Sequence, residues 1–353
     1  MQTKRLSRTV KVGRVTLGGG NRIAVQSMCD IPTHNATDVI RQINELENAG
    51  CDIVRLTVNT FEAAEGFKVI RNMTDMPLVA DIHFDYRLAL AAIEAGADKI
   101  RINPGNIGGD DRVKAVADAC KAKNIPIRIG VNGGSLSKPI LAKYGRVCAE
   151  ALRDSALEHA ALLEKYDFND IVLSVKSSDV ATCVAANRLI ARSCEYPLHI
   201  GVTEAGAIPD GLIKNSIGIG ALLLDGIGDT VRVSLTDPPV QEVIAANDIL
   251  KAIGLRHGIN IVSCPTCGRT QIDLKRLYAE LKDATRDIQT QKDITVALMG
   301  CVVNGPGEAR EADVGVAGGN GEAVLFKRGE TVGKINERDI VGILLTEIKE
   351  LLK

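Results

Sequence analysis

One feature constrains this chain more than any other: short β-rich runs recur at regular intervals, each followed by helical periodicity. The runs are IAVQSM (23–28), DIVRLTV (52–58), PLVADIH (77–83), DKIRINP (98–104), IPIRIGV (125–131), DIVLSVK (170–176), PLHIGVT (197–203) and TVRVSLT (230–236). Between them TDVIRQINELENAG and DYRLALAAIEAGA place apolar residues at helical spacing and stop at glycine, and AEALRDSALEHAALLEKY is a longer amphipathic helix. Strand–helix units of this number and length predict an α/β fold, a (β/α)8 TIM barrel over residues 1–255, closed by the helix PPVQEVIAANDILKAIG (238–254). An open doubly wound sheet shares the rhythm and is the alternative. Beyond the barrel, residues 256–353 read as a small α+β domain. It has a helix (DLKRLYAELKDATRDIQ), strands (DITVALMG, ADVGVAGG), a hairpin (EAVLFKRGETVGKIN) and a closing helix (ERDIVGILLTEIKELLK).

Several function classes drop out. A net charge of -1 excludes a polyanion binder held by bulk charge, and the absence of Trp with 3% aromatic residues argues against base-stacking platforms. Neither nucleic acid nor membrane is an expected partner, since the longest apolar runs (IGALLL, VGILL) are far too short to span a bilayer. The basic start MQTKRLSRTVKVGRV has no apolar core and does not read as a signal peptide. Nine cysteines, an odd number without export signals, point to a reducing cytoplasm.

In a barrel of this kind chemistry sits where strands end. Here those positions carry Arg55, Asp81, His83, Arg101, Asn103, Arg128, Asn132, Lys176, His199, Thr203, Glu204 and, after Arg232, Ser234. A packed barrel does not turn several cations inward without a use, because a buried unpaired charge costs several kcal/mol. Guanidinium forks bind phosphate in two-pronged fashion, so the set suits a small molecule with at least two phosphoryl groups. The glycine-rich stretch over 218–231 looks superficially like a nucleotide loop. It does not open a βαβ unit, and is expected to be a loop and short helix before the eighth strand.

The second domain carries SCPTCGRT, with Cys264 and Cys267, and MGCVVNGPGEAREADVG, with Cys301 in what reads as a tight loop. A zinc ribbon would need a second Cys-x2-Cys pair, which is absent. Three thiolates suit a four-iron, four-sulfur cluster with one distinctive iron. A three-cysteine zinc site completed by His or a carboxylate remains open on spacing alone. Cys29, Cys51, Cys120, Cys148, Cys183 and Cys194 lack ligand spacing and read as packed thiols.

CPTCGRTQID and GCVVNGPGEAREADVG, with the barrel segments RLTVN, ADIHFDYRLAL, KIRINPGNIG, RIGVNGGSL, SVKSSD and GVTEAG, resemble the 4-hydroxy-3-methylbut-2-enyl diphosphate synthase family over nearly the whole chain. The resemblance is to the compact bacterial form. It implies a [4Fe-4S] cluster, one per subunit, held by Cys264, Cys267, Cys301 and Glu308. The carboxylate is a harder and weaker partner for iron than a thiolate, and so an exchangeable one. It also implies reductive opening of 2-C-methyl-D-erythritol 2,4-cyclodiphosphate in the methylerythritol phosphate route, with flavodoxin or ferredoxin as electron donor. Arg55, Arg101, Arg128, Lys176 and Ser234 would hold the diphosphate with Asn132 and His83 nearby, and Glu204 would move a proton near the leaving hydroxyl. SMCDIPTHNATD departs from the family's usual SMTNTDTxD at Cys29 and Pro32. The competing reading is a non-redox, phosphate-ligand-binding TIM barrel with a structural zinc domain, which would be colourless where an iron–sulfur protein is brown.

Chain direction adds an expectation about assembly. Barrel strands run from floor to mouth and helices return to the floor, so the chain leaves the barrel far from its strand-end cations. The eighth helix spans about 25 Å, and ten linker residues reach at most about 35 Å. A homodimer in which each second domain serves the other chain's barrel resolves the mismatch.

Overall fold

The computed structural model describes residues 3–353 apart from positions 104, 287, 289 and 304. It divides into two compact units, 1–249 and 250–353.

The first unit opens with a hairpin, β1 (Val10–Val12) and β2 (Val15–Leu17), that the sequence reading did not anticipate. Eight parallel strands follow: β3 (Ala24–Met28), β4 (Ile53–Thr57), β5 (Leu78–Asp81), β6 (Lys99–Ile102), β7 (Ile127–Asn132), β8 (Ile171–Lys176), β9 (His199–Ile200) and β10 (Thr230–Val231). Their order is β8-β7-β6-β5-β4-β3-β10-β9, and a bridge between Leu173 and Leu198 brings the two ends of that order together. The result is a TIM barrel with helices between successive strands, as the rhythm predicts. Local chemistry starts several helices cleanly: Thr60 accepts from the Ala63 amide, and Asp179 from the Thr182 amide. Val10, Val12 and Leu17 of the hairpin pack on Ala24, Ile53, Val79 and Val172, from the early parts of β3, β4, β5 and β8. The hairpin is therefore an apolar plug at the barrel floor.

Two expectations need correction here. The seventh and eighth strand runs, expected over 197–203 and 230–236, form ladders only at His199–Ile200 and Thr230–Val231. The buried Asn215 side chain supplies the reason. Its carbonyl oxygen accepts from the Val202 and Ser234 amides, both at 3.3 Å, where a neighbouring strand would otherwise pair. The glycine-rich stretch is more helical than expected, with a turn left only over 225–229 before β10. Gly218 and Gly220 lie inside the helix Asp210–Leu224, and a Cβ on Gly218 would stand 2.6 Å from Val202, so the glycine serves close helix–strand packing.

The second unit is a five-stranded sheet in sequential order: β11 (Gly258–Ser263), β12 (Asp293–Met299), β13 (Val314–Gly318), β14 (Glu322–Lys327) and β15 (Glu330–Asn336). The first three strands are parallel and the last two pairings antiparallel. Alternation along β12 sorts its two faces. Ile294, Val296 and Leu298 pack with Leu277, Leu281, Leu344 and Ile348 from the helices Leu274–Thr285 and Ile340–Leu352. Ala297 and Met299 face the other way, toward Ala309 and Ala317. The first of those helices ends at Thr285, and the tail of the expected helix includes positions 287 and 289, outside the described residues. The expected NGPGE loop is in part helical, with Gly305–Arg310 forming a short helix. Pro306 is compatible with that, because a first-turn amide has no intrahelical partner to lose.

Candidate active site and metal centre

Side chains along a strand alternate, and register carries one parity round the barrel. On the inward parity lie Gln26 and Met28 of β3, Arg55 of β4, Val79 and Asp81 of β5, Lys99 and Arg101 of β6, and Arg128 of β7. Ser174 and Lys176 of β8 continue it, with His199 of β9 and Arg232 just beyond β10. Two inward positions are glycines, and both clear space for a cation. A Cβ on Gly130 would stand 2.6 Å from the Arg101 guanidinium, and one on Gly201 would run first into the Arg232 carbonyl and stand 3.0 Å from Lys176 Nζ.

Two buried carboxylates, Asp81 and Glu242, organise part of this charge. Asp81 receives Arg101 Nη1 at 3.1 Å and lies 3.7 Å from Arg55 Nε and 3.9 Å from His83 Nε2. Burial alone would raise the Asp81 pKa, but Arg55 and Arg101 outweigh it and hold the carboxyl below its usual range. Arg55 itself is pushed down to about 10, by burial first. Glu242 takes a two-pronged bond from Arg232, at 3.1 and 2.9 Å, and also accepts from Ser27 Oγ and the Leu235 amide. The free prong of Arg232 donates to Ser234 Oγ at 3.0 Å.

Other cations lack this compensation. Among the described residues, Arg128, Lys176 and Lys99 have no carboxylate partner. Arg128 is 1% exposed, and its Nε and Nη1 find no hydrogen-bond acceptor. Burial, then Arg232 and Arg128, push the Lys176 pKa well down. Burial, then Arg128, Lys176 and Lys99, push the His199 pKa well down and keep the ring neutral. Buried donors left without acceptors beside these locked arginines are shaped for an anion.

The remaining expected residues spread around this centre. His83 is exposed just past β5. Asn132 ends β7, and its backbone amide donates to Ser135 Oγ at 2.9 Å across the turn Gly133–Ser135. Glu204 lies in the exposed loop after β9 with φ of +52°, in the left-handed region that a non-glycine residue seldom adopts. Among the described residues it has no ion pair. Cys29 is buried, its thiol pKa raised by that burial, and lines a cavity of about 520 Å³ with Met28, Thr33, Thr57, Thr60 and Glu62. Sequence reasoning missed Lys99, Glu242 and Gln26 as members of the interior. The alternation Lys99–Arg101–Asn103 was the available signal for the first. Glu242 sits on a helix with no local signature.

In the second unit β11 and β12 are parallel neighbours, with Ser263 registered to Leu298. Cys264 and Cys301 therefore leave adjacent strands at the same sheet end. The Gly300 amide donates to Cys264 Sγ at 3.3 Å, and the Gln271 amide to the Gly300 carbonyl at 2.8 Å, tying the two cysteine loops together. Cys264 is half-buried, Cys301 buried and Cys267 exposed. Hydrogen bonds from Arg269, backbone first and then side chain, lower the Cys267 pKa. Glu308 is exposed on the short helix Gly305–Arg310, which sits close to the sheet because a Cβ on Gly305 would meet Met299 and Ala317 at 2.9 and 3.0 Å. Among the described residues no three Cys, His, Asp or Glu side chains converge at single-ion spacing. A cubane cluster holds its ligands further apart than one ion does, and three thiols around one sheet end with an N–H aimed at sulfur are a donor set that fits it.

Comparison with known proteins covers both units. Residues 7–247 match the GcpE TIM-barrel domain and residues 260–350 the GcpE protein C-terminal domain. A 4-hydroxy-3-methylbut-2-en-1-yl diphosphate synthase (flavodoxin) of Clostridium acetobutylicum is 56% identical over 98% of this chain and 99% of its own length. One of the same description from Fusobacterium nucleatum is 53% identical over 99% and 97%. Among solved structures, a dihydropteroate synthase from Stenotrophomonas maltophilia with active site-bound imidazole superposes with a TM-score of 0.51 at 13% identity, over 70% of this chain and 97% of that one. That likeness is one of barrel fold alone.

Proposed function

The chain belongs to the GcpE family, and from that premise we propose how its two units share the work. It is an enzyme, an oxidoreductase that reductively opens 2-C-methyl-D-erythritol 2,4-cyclodiphosphate to 4-hydroxy-3-methylbut-2-en-1-yl diphosphate in isoprenoid biosynthesis, with flavodoxin as donor. A match across both units does not favour the non-redox zinc alternative.

The observation that carries the division of labour is that Arg128 and Lys176 are buried inside the barrel with no carboxylate partner among the described residues. In the proposal these two, with Arg55, Arg101 and Ser234, hold the diphosphate, and His83 and Asn132 border it. Asp81 and Glu242 fix the arginines in place so that little reorganisation accompanies binding. The same cations stabilise negative charge on the oxygen that departs when the ring C–O bond breaks. Glu204, on its strained loop, holds the proton that the leaving hydroxyl needs to depart as water.

The redox cofactor in this proposal is one [4Fe-4S] cluster per subunit, held by Cys264, Cys267, Cys301 and Glu308. When bound, it supplies the two electrons one at a time. The Gly300 amide would temper charge on Cys264, and exposed Glu308 can leave or return without disturbing the sheet. We also assign the protein to the cytoplasm, and the active site to a homodimer in which each barrel is completed by the other chain's cysteine unit. No helix among the described residues is long and apolar enough to cross a membrane.

The test is iron and sulfide analysis of anaerobically purified protein, with electron paramagnetic resonance after reduction, with and without the cyclodiphosphate. A four-iron signal that changes on adding substrate is expected; zinc in place of iron would overturn the cofactor assignment. For the assembly, mixed dimers of Cys301→Ala and Arg101→Ala chains should recover part of the activity that each lacks. Verified mixed dimers without activity would end the shared-site reading.

A further inference from the structure

Lys99 opens β6 on the inward face, one step toward the floor from Arg101. Its side chain is fully buried, and its Nζ meets the Gln26 amide oxygen on β3 at 3.4 Å, a long contact with a neutral acceptor. The groups facing it are cationic, neutral or apolar, and among the described residues its amine meets no carboxylate other than that of its chain neighbour Asp98. Arg128 comes from β7, Arg55 from β4 and the neutral His199 from β9. β5 and β8 contribute Val79 and Val172, and the floor plug Val10, Val12 and Leu17. Asp98 precedes it on the chain, but that carboxylate is engaged by Arg71 at 2.7 Å and the Leu78 amide at 2.8 Å. Burial, then Arg128 and Arg55, push the lysine's pKa well below its ordinary value.

A guanidinium in such a place keeps its proton, whereas an amine can release one and so avoid the cost of enclosed, uncompensated charge. The two kinds of cation then answer an incoming anion differently. We propose that Lys99 is a further anion-binding residue of this barrel, waiting as an uncharged amine and taking one proton from solvent when the diphosphate enters. The N–H bond formed is the only covalent change, and no electron moves. The inference rests on the barrel being the diphosphate site.

The linkage has a definite sign. Lys99 is more readily protonated in the complex than in the free protein, so binding takes up protons. Affinity then falls as pH rises, by about tenfold per pH unit for each proton taken up. The cyclic diphosphate does not blur this reading, because each of its phosphoryl groups carries a single strongly acidic hydroxyl that is already ionised at neutral pH. Lys176 is a second amine in the same interior and is expected to add its own proton.

The experiment is titration calorimetry of anaerobic, cluster-loaded protein with 2-C-methyl-D-erythritol 2,4-cyclodiphosphate, without reductant. Non-phosphate buffers of different ionisation enthalpy report the protons exchanged. The wild type should take up protons at neutral pH. Lys99→Met should take up about one fewer, bind about tenfold more weakly at neutral pH, and approach the wild type as pH rises. It should melt no lower than the wild type, since the side chain removed has no carboxylate partner. Uptake in Lys99→Met equal to the wild type would overturn the proposal. So would a failure of both Lys99→Met and Lys99→Gln to fold, because the amine would then be holding the barrel together. A wild-type protein that binds no cyclodiphosphate would sink the reading of the site, and this inference with it; binding without proton uptake would sink this inference alone.

Discussion

Asp81, in the barrel, is 2% exposed and engaged by Arg101 and Arg55; Cys267 and Glu308, in the second unit, stand exposed on loop and short helix beyond their strands. The barrel carries its charges on strands, locks the arginines with Asp81 and Glu242, and clears their paths with glycine at 130 and 201. Its geometry exists before a ligand arrives. The cysteine unit joins its donor loops by the bonds around Gly300 and leaves the rest to whatever the donors bind. Diphosphate recognition needs fixed directions for charge-assisted bonds. A metal centre supplies its own directional bonds, and binding it is itself a source of local order.

The largest expected effect breaks the second unit and spares the first. Cys264→Ala, Cys267→Ala or Cys301→Ala should each abolish cluster assembly and turnover, read by iron and sulfide content and by activity. A full complement of iron with normal turnover in any of them would remove that cysteine from the site.

The next effect falls on the barrel. Asp81→Asn leaves Arg55 and Arg101 without their carboxylate, and should lower stability by about 3 kcal/mol in denaturant titrations. The pH dependence has a defined direction. The Asp81 pKa is depressed in the folded protein, so its stabilisation is complete above the unfolded carboxyl value of about 4 and is lost as pH falls through the folded value. The wild type should weaken below that point, and the variant should show a flatter acid limb. Equal acid limbs would show that Asp81 does not organise the arginines.

Arg128→Ala removes a cation with no carboxylate partner. It should weaken cyclodiphosphate binding about tenfold or more, from roughly 1.5–3 kcal/mol per charge-assisted bond. The cluster spectrum should not change. Unchanged affinity would place the anion elsewhere. The smallest effect is expected from Gly130→Ala, whose methyl would meet the side-chain end of Arg101 rather than backbone. A few-fold loss of affinity with unaltered stability is the expected result, and a large stability loss would mean that the guanidinium cannot shift.

The strand–helix rhythm made the barrel legible, because each strand declares itself by local alternation of Val, Ile and Leu. The same alternation put Arg55, Arg101, Arg128 and Lys176 on one face. It was under-read at Lys99, two residues before Arg101, where a lysine at the start of a strand looks like an ordinary solvent-facing end. The short ladders of β9 and β10 could not be read locally. The competitor for their backbone is Asn215, on the helix between them, and only folding brings its amide to both Val202 and Ser234. The NGPGE segment misled for a different reason: proline and glycine favour loops, but proline at the start of a helix costs nothing and Gly305 earns its place by packing on Met299 and Ala317.

By itself the sequence determined which residues have the chemistry: three thiols at ligand spacing, guanidinium groups at strand ends, and strands of the right parity to turn them inward. Those are properties of side chains and of neighbours a few positions away. Only the tertiary structure decided which charges are compensated. Glu242 reaches Ser27 across 215 positions of chain and closes on Arg232, while Asp81 gathers arginines from β4 and β6. Among the described residues Arg128, Lys176 and Lys99 stay without a carboxylate partner, because the strand positions that come round to face them carry other cations, or valine. Compensation is a matter of distance and burial, and in a closed barrel both are set by strands far apart in the chain.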